Sequence, residues 1–574
     1  MRLINIDAFL QREQLFHSGR RVERRTKVLK FCDDDTTEYA ILSHRWIDPT
    51  EIDYEEMVNL AKMDREEQDE IRGRLGYKKI VDTCEQAKRD GYEWLWIDTC
   101  CIDKRSSAEL SEAINSMYRW YANAKICYAY LHDVDGSSFP TTKDEEKYPQ
   151  LNGWPEWFSR GWTLQEMIAP QDLQFFNKDW QPIGDKKGLA RKLRRITGVP
   201  EPVLAYGLER NRPCVAQIIS WAANRTTTRV EDRAYSLMGL LDVNMPMLYG
   251  EGKKAFHRLQ LEIIRSSNDE SIFSWGHKSD VRIGSVLADD PSFFKDCSGM
   301  QLMNYDEFVK VFPELSSTKV ADRLGAFPIM NRGIRIWMCL CRYRDSDSVF
   351  RAYLPCRDRY GAPVSINLVL WERCGNYNYY RYPSISRSAL DDSSAKFNQV
   401  YLGYHEDIRN HTVTFDIDDS GIIENGFTCS HVDPTNFTRN TFTLTNTNPF
   451  CVKIYSEERG NGCFKVDFGQ CLGWDWVHLD VARDPMPWID DKWKVRVPDE
   501  APSMPAPRGC LWVCHLRLPG SNWTVRIYRT WDCDATVRLR MEVSPFQSGP
   551  DKWNVYNIEV SDFFVHVDHY HNQS

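Results

Sequence analysis

Residues 39–46 read Tyr-Ala-Ile-Leu-Ser-His-Arg-Trp. The first four form an uninterrupted apolar run, which is typical of a strand buried on both faces of a parallel sheet. Polar residues follow at once, beginning with Ser43. In open parallel sheets, ligands bind in the crevice beyond the carboxyl ends of the strands. This stretch therefore predicts an α/β fold and the edge of the sheet where a site would lie.

The alternation of strand and helix continues through the first third of the chain. Apolar runs of strand length predict further strands at 94–97, 124–131 and 173–176. Apolar residues that recur at helical spacing predict helices over 80–87, 110–121 and 157–169. Strands that alternate with helices indicate βαβ units around a mostly parallel sheet.

The rest of the chain changes character twice. Residues 186–275 have helical periodicity, whereas alternating apolar and polar segments dominate from about residue 279 onward. We therefore expect three parts: an α/β domain over 1–185, a helical region over 186–278 and a β-rich, sandwich-like part over 279–574.

Composition excludes several classes of protein. The chain has 574 residues, of which 42% are hydrophobic and 27% charged, as in globular proteins. A net charge of −9 without a basic stripe argues against nucleic-acid binding. The sequence contains no apolar run of the roughly 18 residues that span a membrane. The first residues lack a signal-peptide pattern, and 18 cysteines in a chain of this length suggest reduced thiols. We expect a cytoplasmic protein.

The polar residues at the predicted sheet edge form the candidate site. They supply cationic groups, aromatic faces and carboxylates, a set that suits a nucleotide-like ligand better than a peptide. The candidates are Ser43, His44, Arg45, Trp46, Asp98, Arg160, Trp162 and Glu166.

Glu166 has two interpretations. A carboxylate held against a ribose stabilises the positive charge that develops when a glycosidic bond breaks. Alternatively, Thr163 and Glu166 are three residues apart at a predicted helix start, and such a pair can form a capping box worth about 1 kcal/mol. Spacing leaves both interpretations open.

The other candidates also have structural alternatives. His44 and Arg45 follow a buried strand, where such residues often only satisfy loop carbonyls. Asp98 at a strand end is frequently a turn or N-cap residue. Cys100 and Cys101 could supply a thiolate with His44 as its base, but nothing in the sequence places them in contact.

Two further motifs do not predict sites. Cys339-x-Cys341 and the pair Cys510 and Cys514 lack a second ligand pair at zinc spacing, so we expect no metal. Residues 250–253 read Gly-Glu-Gly-Lys, which is not the spacing of a phosphate-binding loop.

Three ordered motifs resemble the HET (heterokaryon incompatibility) domain of filamentous fungi. They are residues 39–46, residues 95–104 (Leu-Trp-Ile-Asp-Thr-Cys-Cys-Ile-Asp-Lys) and residues 160–166 (Arg-Gly-Trp-Thr-Leu-Gln-Glu). Residues 231–241 and 248–252 resemble the helical region that commonly follows this domain. The resemblance covers roughly residues 1 to 275.

The resemblance implies a role in non-self recognition and programmed cell death, a form of innate immunity. HET domains are regarded as relatives of the Toll/interleukin-1 receptor (TIR) domain, which implies a flavodoxin-like α/β fold. In NAD-cleaving TIR domains the catalytic glutamate lies four residues after a tryptophan, as Glu166 lies after Trp162. Thr163 stands where those domains carry cysteine. The same comparison makes Ser43, Arg45 and Trp46 plausible NAD contacts.

Our first hypothesis is a NAD glycohydrolase or cyclase in which Glu166 is catalytic and the other seven candidates contact the ligand. NAD is then a substrate, and no cofactor or metal is required. The resemblance implies self-association, and this hypothesis includes a protein partner as trigger. The second hypothesis is a non-enzymatic adaptor that recruits a cell-death effector. The enzyme predicts a crevice lined by Glu166 and Arg45. The adaptor predicts an exposed apolar patch and a Glu166 turned toward the helix backbone.

Overall fold

A computed structural model describes most of the chain. The described residues are 1–18, 27–47, 49–149, 153–210, 212–276, 284–312, 327–342, 349–373, 376–382, 395–404, 412–433, 437, 440–445, 450–458, 462–471, 474–481, 510–518, 521–530 and 536–545. They fall into two compact units. Unit 1 contains Met1–Gly276, Leu287–Tyr305 and Pro355–Val364, and unit 2 contains His277–Val286, Asp306–Leu354 and Ser365–Ser574.

Unit 1 is built on a seven-stranded mixed sheet. Its strands are β1 (Arg2–Asn5), β2 (Leu29–Phe31), β3 (Tyr39–His44), β4 (Trp94–Trp96), β5 (Ile126–Tyr130), β6 (Leu173–Phe176) and β7 (Pro182–Asp185). The order is β2-β1-β4-β3-β5-β6-β7. The four central strands, β4, β3, β5 and β6, are parallel, and the outer strands join them antiparallel.

The predicted strands at the centre of this sheet are confirmed. Every residue of β3 is buried, as its continuous apolar run requires of a strand covered on both faces. The edge strands β1, β2 and β7 were not predicted because they are short and carry charged or proline residues that weaken the apolar pattern.

Helices cover this sheet and form the rest of unit 1. They are α1 (Ile6–His17), α2 (Tyr54–Asn59), α3 (Arg65–Gly73), α4 (Leu75–Arg89), α5 (Asp98–Cys101), α6 (Ser107–Asn123), α7 (Thr163–Ile168), α8 (Ala190–Thr197), α9 (Glu201–Tyr206), α10 (Val215–Ser220), α11 (Asp232–Tyr235), α12 (Met238–Leu241) and α13 (Lys254–Ser266). Short 3₁₀ helices occupy Leu60–Lys62, Glu156–Ser159, Glu270–Phe273 and Pro291–Cys297.

The predicted helix over 157–169 is wrong in its first part. The chain forms a 3₁₀ turn at Glu156–Ser159, becomes extended at Arg160 and only then enters α7. The physical reason is a tertiary contact, because the backbone of Arg160 forms an isolated parallel bridge with Thr226. A residue held extended by such a bridge cannot continue a helix.

The strands that follow β7 lie mainly in unit 2. The strands after β7 are β8 (Gln301–Leu302), β9 (Ile329–Met330), β10 (Gly333–Arg342), β11 (Val349–Arg357), β12 (Pro363–Arg373), β13 (Asn376–Tyr382), β14 (Lys396–Leu402), β15 (Val413–Asp418), β16 (Phe427–Asp433), β17 (Thr441–Leu444), β18 (Phe450–Glu457), β19 (Cys463–Cys471), β20 (Trp474–Val481), β21 (Cys510–Arg517), β22 (Trp523–Thr530) and β23 (Thr536–Pro545), with helices α14 (Tyr305–Val311) and α15 (Ser420–Ile423). They form sheets in the orders β8-β11-β12-β13-β14-β10-β9, β17-β15-β23-β22-β21 and β16-β18-β19-β20. Of these strands, β8 and the parts of β11 and β12 within Pro355–Val364 belong to unit 1.

The last two sheets share one apolar core. Phe415 and Met541 from the five-stranded sheet belong to the same buried cluster as Phe464 and Phe468 from the four-stranded sheet. Alternation of buried and exposed residues along β23 presents one face of that strand to the core. Among the described residues, no helix is both long and apolar enough to cross a membrane.

Candidate functional site

The carboxyl ends of three neighbouring parallel strands meet at one edge of the sheet in unit 1. β3 ends at His44, and it lies between β4, which leads into Asp98, and β5, which ends at Tyr130. Helix α7 contacts β3 and carries Glu166 to this edge. The fold thus brings together residues that are more than a hundred positions apart in the sequence.

Glu166 is bound to the end of β3. The Ser43 hydroxyl donates a hydrogen bond to Glu166 Oε2 over 2.5 Å. Trp157 Nε1 donates to Ser43 Oγ over 2.9 Å. An indole nitrogen only donates, so this bond directs the single Ser43 hydrogen toward Glu166. The chain from Trp157 through Ser43 fixes the position of one carboxyl oxygen.

Tyr121 of α6 faces the same carboxyl group. Its hydroxyl donates to the Leu42 carbonyl oxygen over 3.0 Å. The same hydroxyl hydrogen-bonds the Glu166 carboxylate, and this bond opposes the rise in the pKa of Glu166. Glu166 as a whole is only 6% exposed. Burial, with a smaller contribution from the Asp98 carboxylate, raises the pKa of Glu166 to about 8.

The capping alternative for Glu166 is wrong. Helix α7 has Trp162 at its N-cap position and no side-chain cap. The Thr163 hydroxyl contacts the carbonyl oxygens of Trp157 and Arg160 at 2.5 and 3.0 Å. Glu166 points away from the helix backbone and toward Ser43.

His44 lies among charged groups beside this carboxyl. Its Nε2 is 3.7 Å from Glu51 Oε2 and 3.8 Å from Asp98 Oδ1, and Lys79 Nζ is 2.5 Å from Glu51 Oε1. Although burial raises the pKa of Glu51, hydrogen bonds and charge from His44 and Lys79 hold it well below its usual range. No carbonyl of the described residues accepts a hydrogen bond from either ring nitrogen of His44, so the proposed contact with loop carbonyls is wrong for His44.

Trp46 and Asp98 form the exposed part of the site. Trp46 is 44% exposed, and its Nε1 donates to Asp98 Oδ2 over 2.8 Å. Lys104 Nζ lies 3.8 Å from the centroid of the Trp46 ring. Asp98 is the first residue of α5, whose N-cap position belongs to Ile97, so the N-cap alternative for Asp98 is wrong.

Arg45 is held by an acidic partner. Its Nη1 is 2.9 Å from Glu156 Oε2, and the same oxygen is 3.5 Å from His132 Nε2. Burial lowers the pKa of His132, with Arg45 and Lys79 adding to the decrease. Arg45 is therefore a cation at the site whose charge is balanced by Glu156.

Arg160 and Trp162 contact the helical region that follows. Arg160 Nη2 donates to Thr228 Oγ1 over 3.1 Å, and the Trp162 side chain hydrogen-bonds Asp232. Burial lowers the pKa of Arg160, and the nearby Arg45 guanidinium lowers it further. Arg160 still lies close enough to Glu166 to oppose the rise in its pKa.

The structure adds site residues that the sequence did not single out. Tyr121 was assigned to a buried helix face and Trp157 to a predicted helix, while Glu51, Lys79 and Arg225 drew no prediction. Tyr121 and Trp157 look like ordinary core aromatics in the sequence. Only the hydrogen bond of Trp157 to Ser43 and that of Tyr121 with Glu166 distinguish them.

The remaining motifs lie away from this chemistry. Cys100 and Cys101 are buried, and the pKa of Cys100 is raised well above its usual range by its hydrogen bond to Cys101 and by burial. The amides of Gly250 and Gly252 both donate to Glu231 Oε1, at 2.8 and 3.0 Å. Within the described residues, no cluster of three or more potential metal-ligating side chains is present; Cys510 and Cys514 lie outside the side chains that are described.

Two cavities lie at the opposite edge of the sheet. One of about 180 Å³ is lined by residues at the amino ends of β5 and β6, including Ile126 and Leu173. The other, of about 290 Å³, is lined by residues just before β3, including Asp34 and Glu38. Neither contains Glu166 or Arg45, so in this conformation they are not the predicted crevice.

Comparison with known proteins shows what this site is similar to. The sequence profile described as Heterokaryon incompatibility protein (HET) matches residues 39–166, from the first residue of β3 to Glu166 itself. This segment is therefore similar to the HET domain, and we refer to it by that name. Over 231 residues it is 43% identical to the Vegetative incompatibility protein HET-E-1 of Podospora anserina. That match covers 39% of this chain but only 16% of the relative. No solved structure matches the chain.

The matched segment, residues 39–166, contains all eight candidate residues of the site. Arg225 and Asp232, which contact the Arg160–Thr163 turn, lie outside the matched segment. The HET domain and the helical region after it thus contribute jointly to the surroundings of Glu166.

Proposed function

We propose that the HET domain cleaves NAD at the bond between nicotinamide and ribose. One observation carries the proposal: a buried carboxyl group, Glu166, is fixed by Ser43 and Tyr121 at the carboxyl edge of parallel strands. A structural cap would not need this environment. Carboxyl groups whose pKa is shifted by burial cluster at functional sites.

The reaction needs a carboxyl group that can lose its proton when the substrate binds. The bond between N1 of nicotinamide and C1′ of ribose breaks, and its electron pair stays on N1. Water then adds to C1′ and loses a proton. The ribose carries positive charge in the transition state, and a carboxylate beside it lowers the barrier. Because the pKa of Glu166 is about 8, the approach of the cationic nicotinamide ring favours transfer of the Glu166 proton to solvent, which leaves the carboxylate beside the ribose.

The remaining candidates supply binding groups. Arg45 and Arg160 are the cations for the pyrophosphate, and Arg45 exchanges Glu156 for a phosphate oxygen when the ligand binds. Trp46 and Trp162 provide aromatic faces, while His44 and Asp98 border the ribose. NAD is the substrate of this scheme, which uses no cofactor or metal.

We also propose that the domain has the flavodoxin-like fold of TIR domains. Numbered in chain order, the four parallel strands β3, β4, β5 and β6 are arranged 2-1-3-4. Flavodoxin-like sheets begin with the same order and bind ligands at the carboxyl edge beside the first strand, where Ser43 and Glu166 meet. This strand order supports the relationship.

In the cell, we propose a role in fungal non-self recognition and programmed cell death, exerted in the cytoplasm. The printed name of the relative from Podospora anserina, a vegetative incompatibility protein, supports this role. Glu166 is 6% exposed, so access of substrate requires the surrounding residues to open. Self-association or a protein partner would supply that step.

The test is nicotinamide release from NAD by the full-length protein. Wild type is compared with Glu166→Gln and with Glu270→Gln, in dilute solution and under crowding that promotes self-association. Glu270 is a matched control because it is 3% exposed and burial raises its pKa to about 8, as for Glu166. Thermal unfolding of all three proteins is measured in parallel.

We expect turnover in wild type and Glu270→Gln, and its loss in Glu166→Gln with no decrease in melting temperature. Equal turnover in all three proteins would exclude Glu166 as the catalytic group. No turnover in any protein, even under crowding, would favour the adaptor hypothesis, in which this edge of the sheet recruits an effector.

A further inference from the structure

We infer that Arg225, which lies outside the matched HET segment, is a positioning residue of the Glu166 site. This inference rests on the proposed function, since a residue can position Glu166 for catalysis only if Glu166 is catalytic. Its consequence is that the working domain extends beyond residue 166 into the segment Arg225–Asp232. The first basis is the backbone of the turn that precedes Glu166.

The segment after α10 holds that turn by two backbone hydrogen bonds. The Thr226 amide donates to the Ser159 carbonyl over 2.7 Å, and the Gly161 amide donates to the Thr226 carbonyl over 2.9 Å. A Cβ atom on Gly161 would lie 2.6 Å from Thr227 Cγ2, closer than real contacts allow. Glycine in the Arg160-Gly161-Trp162 motif is thus explained by the approach of this segment.

The Arg225 side chain adds a second connection. Its Nη1 donates to the Arg160 carbonyl over 2.8 Å and to Thr163 Oγ1 over 3.0 Å. Having accepted that bond, the Thr163 hydroxyl can donate to the Trp157 carbonyl, 2.5 Å away. Trp157 in turn donates to Ser43, which donates to Glu166. Arg225 therefore stabilises the turn that positions Trp157 and Glu166, the two residues that hydrogen-bond Ser43.

The charge of Arg225 is the third observation that supports the inference. The Arg225 side chain is almost completely buried, and its Nη2 has no hydrogen-bond partner among the described residues. Burial lowers the pKa of Arg225, and Glu166 is the acid that opposes this decrease. A buried cation without a full set of partners stabilises the carboxylate that forms when Glu166 loses its proton.

The other groups that face Glu166 set the background for this effect. They are Ser43 on β3, Asp98 on α5, Tyr121 on α6, Arg160 before α7, and the Cys127 thiol on β5 at the Glu166 carbonyl. Of the two arginines, Arg160 is partly exposed whereas Arg225 is buried. Removal of Arg225 should therefore raise the pH at which Glu166 loses its proton.

The experiment compares Arg225→Gln, Arg225→Lys and a control, Arg12→Gln, in the full chain. Arg12 is equally buried and donates to the Met57 carbonyl, but its acidic partner is Glu13, whereas that of Arg225 is Glu166. The first readout is the pH at which nicotinamide release is half-maximal. The second is the change of melting temperature between pH 5 and pH 9, with and without the additional substitution Glu166→Gln.

We expect Arg225→Gln to raise the half-maximal pH by about one unit and to lower turnover. Arg225→Lys keeps the charge and should keep the wild-type midpoint, while its turnover falls because the paired hydrogen bonds are lost. Arg12→Gln should lower the melting temperature without moving the midpoint. In the melting experiment, Arg225→Gln should lower the melting temperature more at pH 9 than at pH 5, and Glu166→Gln should abolish that difference.

Each outcome bears on the inference separately from the proposed function. If wild type releases no nicotinamide, the proposed function fails, but the melting experiment still tests the coupling of Arg225 to Glu166. The inference is overturned if Arg225→Gln changes neither the half-maximal pH of nicotinamide release nor the pH dependence of the melting temperature. If Arg225→Gln does not fold, a shifted midpoint in Arg225→Lys would overturn the role of its charge.

Discussion

The substitution Glu166→Gln should make the protein more stable at alkaline pH while it abolishes turnover. In the folded chain, Glu166 accepts a hydrogen bond from Ser43, and burial raises the pKa of its carboxyl group to about 8. A glutamine amide keeps an oxygen that accepts from Ser43 and carries no charge at any pH. The variant therefore mimics protonated Glu166 at every pH.

The magnitude follows from the pKa. Folding raises the pKa of Glu166 from its ordinary 4.5 to about 8. Between these values the folded protein binds more protons than the unfolded chain, so stability falls as the pH rises. The stabilisation by protonated Glu166 is fully present below pH 4.5 and is lost as the pH passes 8. One pKa unit corresponds to about 1.4 kcal/mol, so the loss between pH 5 and pH 8 is roughly 3 to 4 kcal/mol.

The assay is urea unfolding of wild type and Glu166→Gln at pH 5 and pH 8. The chain has two compact units, so the relevant transition is the one that the substitution moves. Other titrating groups cancel in the difference between the two proteins. We expect the free energy of unfolding of wild type, relative to the variant, to fall by roughly 3 to 4 kcal/mol over this range. A difference that does not change with pH, or a variant less stable at pH 8, would refute the raised pKa of Glu166.

Two further predictions concern the contacts around this group. Gly161→Ala should destabilise the protein by about 1 to 3 kcal/mol, because the added Cβ meets Thr227 Cγ2. Thr227→Ser in the same chain removes that methyl group and should restore stability, which thermal unfolding of the single and double variants measures. Glu156→Gln should free Arg45 for phosphate and lower the KM for NAD, whereas an increased KM in steady-state kinetics would show that Glu156 aids binding rather than competing with it.

How much of the site was predictable is clearest at Glu166. The sequence placed it on a helix after a tryptophan, but helix-start spacing fitted a cap as well as a catalytic carboxylate. The decisive partner, Ser43, lies 123 positions earlier. Hydrogen bonds over such separations leave no local pattern, so the sequence could not choose between the two interpretations.

The sequence by itself determined the central strands. Tyr39–His44, Trp94–Trp96, Ile126–Tyr130 and Leu173–Phe176 are mostly apolar segments without regular alternation, which is typical of strands covered on both faces. Only the tertiary structure decided where α7 begins and how Glu166 is protonated. Both depend on groups brought from elsewhere in the chain: Thr226 holds Arg160 extended, and the packed fold buries Glu166, which raises its pKa. Local side-chain patterns record burial, whereas the polarity of a buried hydrogen-bond network exists only once the chain has folded.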